Sequence, residues 1–230
     1  MSSSIFNKHT ILLIQSNFIK AVAGYHMINT TPINETMWEE IHSMVFTACN
    51  IEILSKSNGS HAPGMDIHSS IGKFSNKSAK YLSKKNNFKI SSYRLTTLCD
   101  SKNCGNIIDI VNEINNKKNF DYYSFILRRE NEKTETIDYD WLIIPSDYQV
   151  LNPSSYEWSP TMGKKNNDEQ VGWHTNKING CKMYINFSMS SQLWIHVEMF
   201  DEIKQFIVAS SSVKNKSTYN YIDLLNKLNI

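Results

Sequence analysis

The sequence predicts an α/β fold, a mixed β-sheet flanked by helices. Two observations carry that expectation. Apolar residues recur at helical spacing near both ends of the chain, whereas short β-rich segments fill the middle. Turn-forming runs of Gly, Pro, Asn and Ser punctuate those segments. The 230 residues, 40% of them hydrophobic, suffice for one domain with a substantial core spanning residues 1–230.

Residues 5–28 carry mixed apolar residues and are expected to form a first helix. Asn34 reads as the N-cap of a second, with Glu35 in its first turn. Met37, Ile41, Met44, Val45 and Ala48 would form the buried stripe of that helix to about Asn50, with Glu39, Glu40 and His42 at or beyond its margins. Residues 55–64 are turn-rich. Strand character follows in Met65–Ile67, Lys73–Tyr81 and Phe88–Leu98. Asn103–Lys118 reads as a helix with Ile107, Ile108, Val111 and Ile114 on one side. Tyr122–Arg129 and Ile137–Ile144 are β-rich and flank the charged stretch Glu130–Glu135, which reads as a strand pair with a loop. Gly163–Gln170 is a polar loop, and Lys182–Ser188 and Leu193–Val197 are further strands. Ser210–Ser217 has the composition of a flexible linker, and Tyr219–Leu228 that of a last short helix.

Several function classes drop out. No apolar run approaches the ~18 residues of a membrane span, and no secretory leader is evident, so a cytoplasmic protein without a membrane partner is expected. Cys49, Cys99, Cys104 and Cys181 are too sparse for a disulfide scaffold and lack the spacing of a zinc site. His61, His68 and His174 belong to no paired motif. No Gly-rich phosphate loop is present, so no nucleotide cofactor is expected, and there is no Gly-x-Ser-x-Gly elbow. The net charge of +2 leaves nucleic acid open as a partner. The wealth of Asn, Ile and Lys is what an A/T-rich coding sequence produces, so many lysines here are default surface residues.

The segment Gly59-Ser60-His61-Ala62-Pro63-Gly64-Met65-Asp66-Ile67 delivers one aspartate at the start of a strand. In the next strand Lys73, Ser75 and Lys77 alternate in period two and share a face. Asp66, Ser75 and Lys77 can therefore meet at one end of a hairpin. A carboxylate there can hold Mg²⁺, and a lysine can orient water and offset phosphate charge. The competing account is a surface hairpin with solvated lysines.

The order loop, Pro-Gly-x-Asp, hairpin, x-x-Lys resembles the PD-(D/E)xK core of type II restriction endonucleases. The strings Ile90-Ser91-Ser92-Tyr93-Arg94-Leu95-Thr96 and Ser190-Ser191-Gln192-Leu193-Trp194-Ile195 are similar to that group as well. The resemblance implies a restriction-endonuclease-like sheet with a catalytic core at about 35–98, recognition elements at about 99–200 and a helical segment at 201–230. It implies Mg²⁺ as cofactor, double-stranded DNA as substrate and a homodimer acting on a palindromic site; the wealth of amides and hydroxyls with few arginines favours an A/T-rich one, and likeness to one member of the group would imply ATTTAAAT cut at its centre. Asp66 takes the place of the metal-binding aspartate, although Pro63 precedes it by three positions rather than one. Lys77 takes the place of the lysine, while Ser75 stands where an acid belongs. The helix glutamate that often completes the metal shell would be Glu39, with Glu40 as alternative.

For DNA contacts the expectation falls on Ser91, Ser92, Tyr93 and Arg94, where small hydroxyls surround one of only three arginines. An internal ion pair of Arg94 is the competing account. Lys73 and Lys80 belong to a basic stretch suited to a phosphate backbone, or merely to a solvated face. Gln192 and Asn186 have the amide groups that bond adenine in the major groove.

Overall fold

The computed structural model describes residues 5–57, 64–82, 86–163 and 169–227. In chain order they form α1 (Lys8–Ile28), α2 (Glu35–Ala48), β1 (Ile53–Lys56), β2 (Ile67–Ser69), β3 (Gly72–Lys80), β4 (Asn87–Arg94) and α3 (Ile107–Lys117). The hairpin β5 (Tyr122–Asn131) and β6 (Thr136–Pro145) follows, then β7 (Trp158–Met162), β8 (Gln170–Thr175), β9 (Lys182–Asn186) and β10 (Gln192–Glu198). The chain ends with α4 (Asp201–Lys204), β11 (Ile207–Lys214) and α5 (Tyr221–Lys227).

Two sheets form. The first has the order β1-β2-β3-β5-β6-β11 and is mixed, because β3 runs parallel to β5 while its other pairs are antiparallel. The second has the order β4-β10-β9-β8-β7 and is antiparallel throughout. The expected α/β class holds, with an added layer. On one face of the first sheet, Phe18 and Val22 of α1 and Trp38, Ile41 and Phe46 of α2 pack on Phe74, Ile126 and Trp141. On the other, Ala79, Phe125, Leu127 and Leu142 meet Phe88, Ile90, Met183 and Leu193 of the second sheet, together with Ile110 and Ile114 of α3. Successive residues of β5 thus enter opposite cores, which is why Phe125, Ile126 and Leu127 are apolar in a row rather than alternating with polar residues.

Asn34 caps α2 as expected, its side chain accepting from the Met37 amide at 3.0 Å. The buried stripe of α2 is rotated from the expected one. Trp38, Ile41, His42, Val45 and Phe46 are buried, whereas Met44 and Ala48 are exposed. Rings at successive four-residue steps, Trp38, His42 and Phe46, decide the phase, because large flat side chains bury more area than Met or Ala. In α3 it is Ile110 and Ile114 that are buried, and Ile108 that is exposed. The serine-rich stretch expected to be a linker is mostly strand β11, the edge of the first sheet. Ser210 and Ser212 donate across to Asp140 and Asp138 at 2.6 Å each, so hydroxyls that suggested a loop pair with a neighbouring strand. The segment 201–230 is therefore not purely helical. Strands β1, β7 and β8 have no counterpart in the sequence expectations. The four cysteines are free, and Cys49, Cys99 and Cys181 are buried.

No helix among the described residues is long and apolar enough to cross a membrane.

Trp141 joins the layers of the helical core. It is fully buried, meets Trp38 edge-on at 5.0 Å, and donates to the Ser124 hydroxyl at 3.0 Å. Trp141→Ala is expected to lower the unfolding free energy by about 3–5 kcal/mol in urea melts, whereas Leu12→Ala on the exposed side of α1 should change it by less than about 0.5 kcal/mol.

Candidate active site at the open edge of strand β3

Strand β3 is paired with β5 from Phe74 to Lys80, but β2 accompanies it only from Gly72 to Phe74. Beyond Phe74 its other edge is open to side chains. Asp66, just before β2, donates its amide to the Phe74 carbonyl at 2.8 Å, and its carboxylate accepts the Asn76 amide at 2.6 Å. The Ser75 hydroxyl reaches the same oxygen at 3.4 Å. The Asn76 carbonyl accepts from the Lys77 ammonium at 2.8 Å. Both main-chain groups of Asn76 on the open edge are thus satisfied by the two residues that the resemblance singles out.

Helix α2 supplies the rest. Lys77 pairs with Glu35 in its first turn at 2.7 Å. Glu39, one turn on, is pushed up to about 7, first by burial and then by the charges of Asp66 and Glu35, with Lys77 opposing. Burial also raises the Asp66 carboxyl; Lys77 and the Asn76 amide pull it back. Three carboxylates therefore share one ammonium at a half-buried edge.

Behind the edge sits a neutral support. The Asn76 side chain points into the helical core and accepts from His42 Nδ1 at 2.8 Å. His42 is fully buried, stacked on Trp38 at 5.5 Å, and burial holds its pKa near 3, so it stays uncharged. An oxygen acceptor requires the proton on Nδ1. On the opposite face Tyr123 is the β5 neighbour of Ser75. Its hydroxyl lies 3.5 Å from that of Tyr93, and the Lys118 ammonium stands 5.9 Å from its ring. Tyr93 has φ +51° at a bulge between β4 and β10, an uncommon backbone for a bulky residue.

The structure thus brings Asp66, Ser75, Lys77 and Glu39 together, and separates Glu40, which is exposed and pairs with Lys56 at 3.0 Å. Lys80 pairs with Glu130 at 2.9 Å, and Lys73 is exposed farther along β3. Ser91, Ser92, Tyr93 and Arg94 end β4 in the second sheet, with Gln192 opposite Arg94 and Asn186 on the neighbouring β9. Arg94 is exposed and makes no ion pair among the described residues, so the internal-pair account does not apply. His61 and the start of the Pro-Gly turn lie outside the described residues. Sequence reasoning missed Glu35, which looked only like a helix-start acid, and His42, which looked marginal. Asn76, between the two motif positions, was the available signal for the support.

No family model, no curated protein and no solved structure matches this chain.

Glu39 binds its proton more tightly folded than unfolded. Its contribution to stability is full below about pH 4.5 and is lost as pH rises through about 7. With chelator present, Glu39→Gln should raise the melting temperature at pH 8 by about 2–4 °C, the equivalent of about 1 kcal/mol after allowance for solvent screening. The gain should vanish near pH 4.5, as measured by calorimetry.

Proposed function

We propose that the protein is a Mg²⁺-dependent, site-specific endonuclease of the type II restriction class, hydrolysing phosphodiester bonds in double-stranded DNA. The observation that carries the proposal is the meeting of Asp66, Glu39 and the Lys77–Glu35 pair on the unpaired edge of β3.

The donors suit a hard divalent cation. Asp66 and Glu39 carry oxygen donors, and the Glu39 carboxyl, raised first by burial, is raised further by negative charge that Lys77 only partly balances. No three His, Cys, Asp or Glu side chains among the described residues already stand in ligating geometry. Mg²⁺ is commonly held by one or two carboxylates, with waters and phosphate oxygens completing its shell, so Asp66 and Glu39 would hold it. When bound, Mg²⁺ neutralises charge on the scissile phosphate and acidifies a water. Lys77 donates to the attacking water or a phosphate oxygen and disperses developing charge. Glu35, 2.7 Å away, holds that ammonium along the edge. Water oxygen bonds to phosphorus and gives up a proton to solvent, one P–O ester bond breaks, and the leaving oxygen takes a proton from solvent. Ser75 steadies the Asp66 carboxylate, standing beside the metal ligands rather than among them. A palindromic A/T-rich site, ATTTAAAT by the resemblance, would call for a C2 homodimer in which each subunit cuts one strand.

A second reading, a sequence-specific DNA-binding protein without catalysis, is favoured by the hydroxyl at position 75. Plasmid digestion with Mg²⁺ separates the two. Discrete fragments are expected from the wild type, and Asp66→Ala and Lys77→Ala should each lower the cleavage rate at least about a hundredfold without changing the oligomeric state. Full activity in either variant overturns the assignment. Specific binding without nicking in Mg²⁺ or Mn²⁺ supports the binder, and a smear in place of bands points to a nuclease without sequence specificity, as in repair.

A further inference from the structure

The second sheet turns one face to the core and the other outward. Leu193, Ile195, Met183 and Ile185 point inward, and their strand neighbours belong to neither core. Register sets the outward side chains in three rows. Lys89, His196 and Lys182 form the first. Ser91, Trp194, Tyr184 and His174 form the second. Arg94 and Gln192, with Asn186 on the next strand, form the third.

We propose that this outer face binds duplex DNA, with Lys89 and Lys182 on phosphates, Trp194 and Tyr184 against the sugar-base surface, and Arg94, Gln192 and Asn186 toward base edges. The proposal rests on the nuclease reading only for the duplex form of the ligand. The charge is one-sided. Glu198, at the far end of β10, is the single acid in the five strands, against Lys89, Lys182 and Arg94. His196 lies between the two lysines in this row, its ring nitrogens covered rather than open to solvent, so the row's exposed charge is that of Lys89 and Lys182. The Trp194 and Tyr184 rings lie parallel at 6.2 Å, and the Lys89 ammonium stands 5.7 Å from the Tyr184 ring. A lipid surface or an acidic peptide would engage the lysines and leave the guanidinium and amides idle. DNA uses all three rows, because it presents phosphates for lysine and paired donors and acceptors for Arg, Gln and Asn.

The rows are ordered relative to the catalytic edge. Arg94 follows Tyr93, whose hydroxyl lies 3.5 Å from that of Tyr123, the β5 neighbour of Ser75. The base-reading row is thus at the end of β4 tied to the proposed scissile centre, and the lysine row is at the other end.

The test measures binding and cleavage separately. Anisotropy of a labelled A/T-rich duplex, and of its single strand, is followed in chelator across a salt series. Cleavage is followed in Mg²⁺. Lys89→Glu/Lys182→Glu should weaken duplex binding about tenfold or more and make the slope of log affinity against log salt shallower by about 2, from two lost phosphate contacts. Lys8→Glu/Lys20→Glu on α1 carries the same charge change on the helical side and should leave both within twofold. Trp194→Ala should weaken duplex binding while the melting temperature stays unchanged, which keeps the test independent of the lysines. Equal weakening by both lysine pairs reduces the effect to net charge and overturns the proposal. So does preference of the wild type for the single strand, or wild-type binding in the sheet variants. Duplex binding through the face with no cleavage in Mg²⁺ sinks the nuclease reading and leaves this one standing. Cleavage that persists unaltered in the sheet variants does the reverse.

Discussion

The structure depends on one unmet demand of the backbone. A strand with a partner on only one side leaves amides and carbonyls exposed on the other, and at a half-buried edge each must find a partner. Strand β2 leaves β3 after Phe74, so the amide and carbonyl of Asn76 are the first groups abandoned. Asp66 answers the amide and Lys77 the carbonyl. The pairing is economical in chain terms: Asp66 is placed because its own amide is still in register with Phe74, and Lys77 because it is the next residue along. A continued β2–β3 ladder would satisfy the same groups with main chain and leave both side chains free to wander into solvent.

Charge follows from that geometry. Once Asp66 and Lys77 are fixed at the edge, the N-terminal turns of α2 bring Glu35 and Glu39 alongside. Lys77 can make one close ion pair and makes it with Glu35, which leaves Asp66 and Glu39 to repel each other in a partly desolvated site. Burial first, and that repulsion second, hold the Glu39 carboxyl near 7. The neutral support behind the edge has the opposite requirement. His42 and Asn76 are sealed among aromatic rings, where a charge would be far costlier, and burial keeps the imidazole uncharged. One strand therefore separates a charged face from a neutral anchor, with Asn76 as the residue that touches both.

Much of this was legible in the chain. The cap at Asn34, the hairpin of β5 and β6, and the approach of Asp66 to Ser75 follow from short-range rules of spacing and turn chemistry. What was not legible depends on partners distant in sequence. The phase of α2 is decided by Trp38, His42 and Phe46 meeting Phe74 and Trp141, and no local pattern reveals that a histidine will be buried opposite an asparagine thirty-four positions away. Glu35 was hidden for the same reason, since its role as partner of Lys77 exists only across the helix–sheet contact. Serines misled in β11, where hydroxyls bond to Asp138 and Asp140 on the neighbouring strand rather than loosening the chain.

The serine at position 75 is better understood from the strand than from the motif it departs from. Its side chain is buried, its hydroxyl leans on the Asp66 carboxylate, and Tyr123 stands beside it on β5. A carboxylate there would add a buried negative charge beside the half-buried Asp66 and Glu39, with Lys77 already committed to Glu35. Burying a further unpaired charge costs several kcal/mol unless a cation is always present. A small hydroxyl avoids that cost and still orients the aspartate. The acids stand instead on the helix, where Glu35 and Glu39 are closer to water. The hydroxyl at 75 and the acid-rich first turns of α2 are in that sense one arrangement, set by the electrostatics of the edge.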